Sequence, residues 1–160
     1  MTGARTPRGF TLIELLVAAT IVAILAATAL PLAELTVKRT KENELRAALR
    51  EIRTAIDAYK QAVDEGRIIR KADESGYPPT LEVLAAGVED ARHAKKVRIH
   101  FLRRVPRDPM HRDPQTPAAD TWGRRSYDSP YDAPREGRDV YDVYSLSTGS
   151  GINGIAYRSW

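Results

Sequence analysis

Nineteen consecutive residues, Leu15 to Ala33, carry no charge, and a helix rising about 1.5 Å per residue over that length crosses a hydrocarbon core of about 30 Å. The run stands near one end of a chain that is otherwise 29% charged, so it is not the buried centre of a single globular fold. The 160 residues therefore divide into an apolar segment and one modest head. Glu14 sits immediately before the run, in "RGFTLIELLVA". A carboxylate at the edge of hydrocarbon is expensive, and usually has a partner and a task.

Three readings compete for the segment. A cleaved secretory signal would use Arg5 and Arg8 as its charged region and "ATA" at Ala27 to Ala29 as its cleavage site. Glu14 counts against it, because the core of a signal lacks acids. The others are a plain single-pass anchor and the first segment of a filament subunit stored in the membrane.

Beyond the run, apolar positions recur with helical spacing at Leu45, Ala48, Leu49, Ile52, Ile56, Tyr59 and Val63. Opposite charges at i, i+4 are expected to lace the other face: Glu34 with Lys38, Lys38 with Glu42, Glu42 with Arg46, and Arg53 with Asp57. The spacing predicts one helix from Phe10 to Glu65, 56 residues, stopped by Gly66. Pro31 lacks an amide hydrogen and is expected to kink it.

These residues carry a resemblance. "RGFTLIELLVAATIVAILAATALP" resembles the class III signal and N-terminal helix of type IV pilins and of the pseudopilins of type II secretion. The resemblance covers Arg8 to about Pro31. It implies that prepilin peptidase cuts after Gly9 and methylates the new N-terminus at Phe10. It also supplies a partner for Glu14, the fifth residue of the mature chain: the Phe10 ammonium of a neighbouring subunit or of its own. Arg5 and Arg8 would hold the leader on the cytoplasmic side, although Lys38, Arg39 and Lys41 beyond the run weaken a pure charge-bias argument, so the orientation rests on the resemblance.

The remainder reads as a small α+β head. "TLEVLAA" is a short helix begun by Thr80 after Pro78 and Pro79 and ended near Gly87. From Arg92 to Arg107 basic residues are interleaved with Val97, Ile99, Phe101, Leu102 and Val105. Nucleic-acid binding is one reading of such a run, and a solvated face the other. With 25 Lys and Arg against 21 Asp and Glu the chain is only mildly basic, and removing Arg5 and Arg8 leaves 23 against 21, or +2, so nucleic acid is not an expected partner. Pro106 to Pro134, dense in Pro, Asp and Arg, reads as loops. "DTWGRRSYDSP" and "GRDVYDVYSLSTGSG" supply short strands of an antiparallel sheet.

The "VPRDP" step, the Trp122–Gly123 pair, and "DVYSLS" before a glycine-rich loop and Trp160 resemble the C-terminal half of major pseudopilins of type II secretion. Met110 to Asp120 departs from that pattern as additional loop. The lack of cysteine agrees, since many type IV pilins close a C-terminal loop by a disulfide. The resemblance also raises calcium in the loop after the strand, yet Ser145 to Trp160 contains no Asp or Glu. The nearest acids are Asp142 and Asp139, and Ser147, Ser150 and Asn153 offer only neutral oxygens. No cofactor is assigned, calcium stays the one ion to test for, and metal ligands are left open.

No catalytic apparatus is legible. His93, His100 and His111 lack metal-binding spacing, "HRD" at His111 to Asp113 lacks the rest of a kinase loop, and Gly149, Gly151 and Gly154 open no helix. The expectation is therefore a non-enzymatic, pilin-like α+β chain: leader 1–9, membrane and filament-core helix 10–33, and periplasmic head 34–160. The implied partners are prepilin peptidase, further copies of the chain, other pseudopilins, the membrane, and an inner-membrane assembly platform with its ATPase. Its place would be the bacterial inner membrane, N-terminus cytoplasmic, and then a periplasmic filament that drives protein export. A type IV pilin, a minor pilin of a related filament, and an anchored periplasmic binding domain are the alternatives.

Overall fold

A computed structural model describes residues 11–95 and 97–160, with the side chains of 28–31 outside the description. Gly9 and Phe10 lie outside the described residues. Helix α1 spans Leu12–Asp64. It continues through position 31, while the kink expected at Pro31 rests on a ring outside the described side chains. The chain forms two compact units, one ending at Arg39 and one spanning Thr40–Trp160.

In the first unit the helix presents its apolar residues outward: Leu12, Leu15, Leu16, Ile21, Val22, Ile24 and Leu25 are all exposed. Nothing among the described residues of the unit covers them, and the segment is long and apolar enough to cross a membrane.

In the second unit α1 buries one face. Leu45, Ala48, Leu49, Ile52, Ala55, Ile56, Tyr59, Ala62 and Val63 recur at three- and four-residue spacing and form one cluster with Leu81, Leu84, Leu102, Trp122, Val140, Val143 and Tyr157. The helix stops as its glycine requires. Gly66 has φ 69°, its N–H reaches the Val63 carbonyl at 2.8 Å, and the Arg67 N–H reaches that of Ala62 at 2.8 Å. Those two bonds close the end of the helix, and a left-handed residue without a Cβ makes them inexpensive.

Helix α2, Leu81–Ala86, follows Thr80, which holds the extended N-cap conformation without a side-chain cap bond, and ends at Gly87 with φ 78°. Strands β1 (Val88–Glu89) and β2 (Arg98–Ile99) pair antiparallel, with β2 inside the basic stretch. Strands β3 (Trp122–Arg125) and β4 (Asp142–Ser145) pair antiparallel with Trp122 opposite Ser145 and Gly123 opposite Tyr144. The loop reading of Pro106–Pro134 yields at Ala118–Thr121, a 3-10 turn, while β3 lies in "DTWGRRSYDSP", where a strand is expected. This is the α+β fold expected.

None of the four expected pairs along α1 is an ion pair among the described residues, and the three that involve Glu42 and Arg53 give way to contacts across the head. Arg53 does not reach Asp57; its Nε bonds Asp142 Oδ1 at 2.8 Å and its Nη2 bonds the carbonyls of Val143 and Trp160. Glu42 is not on a solvated face between Lys38 and Arg46 but 4% exposed, accepting bonds from the Ile152 N–H at 2.8 Å and the Tyr157 hydroxyl at 3.0 Å. Surface pairs along a helix are worth a few tenths of a kcal/mol, whereas bonds to a buried carboxylate satisfy an otherwise costly group.

Candidate functional site

The N-terminus of α1 is built around Glu14. Its Oε2 accepts from the Thr11 N–H at 2.8 Å and the Thr11 hydroxyl at 2.9 Å, while the Glu14 N–H donates to Thr11 Oγ1 at 3.3 Å. This reciprocal arrangement is a capping box, Thr at the cap and Glu three residues on, satisfying N–H groups that the helix start leaves without partners. The sequence reading took the Phe10 ammonium, of a neighbouring subunit or of its own, as the partner of Glu14 and missed Thr11. The T-x-x-E spacing of "TLIE" was the available signal.

The box has a chemical consequence. Both bonds fall on Oε2, and Oε1 takes no hydrogen bond among the described residues. Thr11 thereby fixes the carboxylate at the mouth of the helix with one oxygen open. Ile13, Val17, Ala18 and Ile21 surround Glu14 along the helix, so the charge borders an uncovered apolar surface. Such a surface suits helix-on-helix packing or lipid.

In the head, the motifs Val105–Pro109 and Trp122–Gly123 meet. Asp108 is 1% exposed; it accepts from the Met110 N–H at 2.7 Å and the Ser145 hydroxyl at 2.6 Å, and its own N–H donates to Thr121 Oγ1 at 3.1 Å. Trp122 Nε1 donates to the Pro106 carbonyl at 2.8 Å. Gly123 lies under the Tyr144 ring, where a Cβ would stand 2.3 Å from the nearest ring carbon. The extra loop is fastened by Arg107, which donates to the Thr116 and Asp113 carbonyls. These residues join β4, the loop and the core rather than facing a substrate.

The loop after β4 offers neutral side-chain oxygens and no carboxylate side chain. Ser145 is committed to Asp108, Ser147 Oγ accepts the Gly149 N–H at 3.3 Å, and Asn153 Oδ1 accepts the Ile155 N–H at 3.1 Å. A calcium ion wants six to eight oxygens, several of them charged, whereas Ser147 and Asn153 are engaged within their own loop and Ser145 with Asp108 outside it. Adding a chelator to the detergent-solubilised chain is expected to leave its melting temperature unchanged; a drop reversed by calcium but not magnesium would reverse this assignment.

The histidines are used locally. His93 Nδ1 faces the Lys95 N–H, His100 Nδ1 the Ala85 carbonyl at 3.0 Å, and His111 Nε2 the Thr116 hydroxyl at 3.2 Å. Within 92–107, Arg92, Lys95, Arg98, Arg103 and Arg104 are exposed.

Tyr157 carries a pH dependence. Burial first, then the bond to Glu42 and its charge, push the hydroxyl up to about 12 from an ordinary 10.0. The folded head holds this proton more tightly than the unfolded chain, so the contribution is complete below about pH 10 and is lost as pH rises toward about 12. Tyr157→Phe is expected to cost about 1.5–3 kcal/mol at neutral pH, as for a bond to a charged group. Tyr59 and Tyr77 are also raised by burial, so the informative quantity is the gap in melting temperature between wild type and variant. That gap should narrow above pH 10, and a constant gap would remove Tyr157 from the effect.

Residues 5–30 match the family pattern described as the prokaryotic N-terminal methylation motif. The matched stretch contains the Gly9–Phe10 junction, Thr11, Glu14 and most of the apolar run. It is the motif of prepilin-type substrates of prepilin peptidase, which are structural subunits rather than enzymes. No curated protein and no solved structure matches the chain.

Proposed function

We propose that the chain is a structural subunit of a type II secretion pseudopilus. The observation that carries the reading is a methylation motif whose Gly9–Phe10 junction lies directly before a capped helix, with that helix apolar and uncovered as far as its charged continuation into a head. Cleavage after Gly9 would remove leader 1–9 and leave a positive amine on Phe10, four residues before Glu14 in the sequence. Residues 10–33 would hold the subunit in the inner membrane, N-terminus cytoplasmic, and then form the filament core, with head 34–160 in the periplasm. The assembly platform and its ATPase would supply the work, pulling subunits from the bilayer into a filament that pushes exported proteins outward. The joined Val105–Pro109 and Trp122–Gly123 motifs favour the secretion branch over a type IV pilin or minor pilin.

The test is maturation in the membrane. Gly9→Val places a branched side chain where the peptidase admits a small one, and processed chain is expected to fall at least tenfold. Mass spectrometry of membrane-extracted protein reads it directly. Wild type should begin at N-methylated Phe10; a wild-type chain beginning at Leu30 would instead mark a conventional signal, and undiminished processing of Gly9→Val would reject the junction. Deletion of the gene should then block export of a secreted protein if the pseudopilus assignment holds, and adhesion, motility or DNA uptake if the filament is a type IV pilus.

A further inference from the structure

Three guanidinium groups line one open groove of the head. It measures about 340 Å3, lies between α1 and the C-terminal turn, and is bounded by Arg46, Leu49, Arg50, Arg53, Ile155 and Trp160, with no Asp or Glu side chain in its lining. Arg53 is taken by Asp142, and Arg46 lies 4.2 Å above the Trp160 ring. Arg50 makes no ion pair among the described residues. The groove is also apolar, with Leu49 as floor and Ile155 half-exposed. Its complement is a carboxylate carried beside aliphatic side chains.

The chain contains that complement. Glu34 is the one carboxylate in the sequence between Glu14 and Glu42. It is exposed, and Lys38, one turn on, makes no ion pair with it among the described residues. Val37, three residues on and so on the same helical face, is 57% exposed, and Leu35 is 46% exposed. Exposed aliphatic residues at the end of a membrane segment are unremarkable in lipid headgroups, but they need cover once a subunit has left the bilayer.

We propose that the groove of one copy receives the Glu34–Val37 segment of a second copy, with the Glu34 carboxylate between Arg46 and Arg50 and Val37 against Ile155 and Trp160. The inference rests on the filament reading above. Groove and segment are different patches, so the contact is heterologous and can repeat from copy to copy in an open helix, which is the symmetry a filament needs. Partial desolvation by Ile155 and Trp160 makes the ion pair more valuable than one on an open surface. Arg50 is the cleanest probe, because reversing it breaks no ion pair within its own subunit.

The experiment uses the full-length chain in its own host, as the only copy. Arg50→Glu and Glu34→Arg are each expected to lower filament yield at least tenfold, and the double variant to recover to within threefold of wild type. Rescue cannot come from misfolding, since two folding defects do not cancel. The chain lacks cysteine, so engineered thiols report without background. Co-expressed, differently tagged copies carrying Val37→Cys and Ile155→Cys should form a disulfide-linked heterodimer under oxidant, and a copy carrying Ile69→Cys in place of Ile155→Cys should not. Singles that assemble like wild type, or a double variant no better than the singles, overturn the contact while wild-type filaments keep the filament reading intact. If wild type forms no filaments, and Val17→Cys pairs give no cross-links either, both readings fall together.

Discussion

With Glu14→Gln as the only copy in the cell, the leader is expected to be removed and the protein inserted normally, and filaments to be lost. The capping box makes this substitution sharper than it first looks. Glutamine reproduces the bond to the Thr11 N–H, so the helix start survives and only the charge disappears. A neutral amide also sits in or near a bilayer at least as easily as a carboxylate. Under the proposed pairing, what is lost is the partner of the Phe10 ammonium. Leaving a buried charge alone typically costs about 3–5 kcal/mol, a factor of hundreds or more per contact, and the contact recurs in every subunit. Glu14→Ala adds loss of the cap, about 0.5–2 kcal/mol, and should also reduce helix content at the N-terminus. If Glu14 serves only as a cap, Gln assembles like wild type and Ala alone is impaired. Electron microscopy of sheared filaments, with mass spectrometry to confirm cleavage, separates the two. Normal filaments from cleaved Glu14→Gln protein would refute the pairing and leave Thr11 as the whole explanation of the carboxylate.

The parts of the fold legible in the sequence are those encoded by period or by a single conformational requirement. The nine buried residues of α1 from Leu45 to Val63 follow helical spacing, Gly66 and Gly87 stop helices because both adopt positive φ, and the Tyr/Val/Ser runs gave β3 and β4. The misreadings share one cause. Glu42 and Arg53 have good i+4 partners along the helix, and local spacing says nothing about a C-terminal segment more than 100 residues away that offers Tyr157 and the Trp160 carbonyl. Buried partners outweigh exposed ones, so the long-range contacts prevail. The Val105–Pro109 step was recognisable only as a resemblance. Its physical reason, Asp108 gathering Met110, Thr121 and Ser145, emerges once three separate stretches are adjacent. At the candidate site the opposite error occurred, since the unusual carboxylate drew attention from an ordinary cap three residues before it.

Trp122→Ala is expected to be the most destabilising single change in the head. The indole is 1% exposed, lies in the same core cluster as Ile52, Leu84 and Val143, and donates through Nε1 to the Pro106 carbonyl. Truncation removes the largest fully buried side chain among the described residues and leaves a cavity that a helix and a two-stranded sheet cannot easily collapse to fill. Buried aromatic-to-alanine changes cost about 3–5 kcal/mol, against a total stability on the order of 5–15 kcal/mol for a domain. The expected fall in melting temperature is roughly 10–20 °C for a unit of this size. Trp122→Phe separates the two contributions. It keeps most of the ring volume and gives up the bond to Pro106, so its cost should lie near the 1–3 kcal/mol of an orphaned carbonyl plus a small void. Because β3 begins at Trp122 and pairs it with Ser145, whose hydroxyl holds Asp108, the alanine variant should also loosen the loop up to Thr121. Hydrogen exchange of the detergent-solubilised chain should therefore show faster exchange at the Asp108 and Met110 amides than at those of Leu45 to Ile56. A loss below about 1 kcal/mol, or exchange that rises equally everywhere, would mean that Trp122 fills space without organising the joint between loop, sheet and helix.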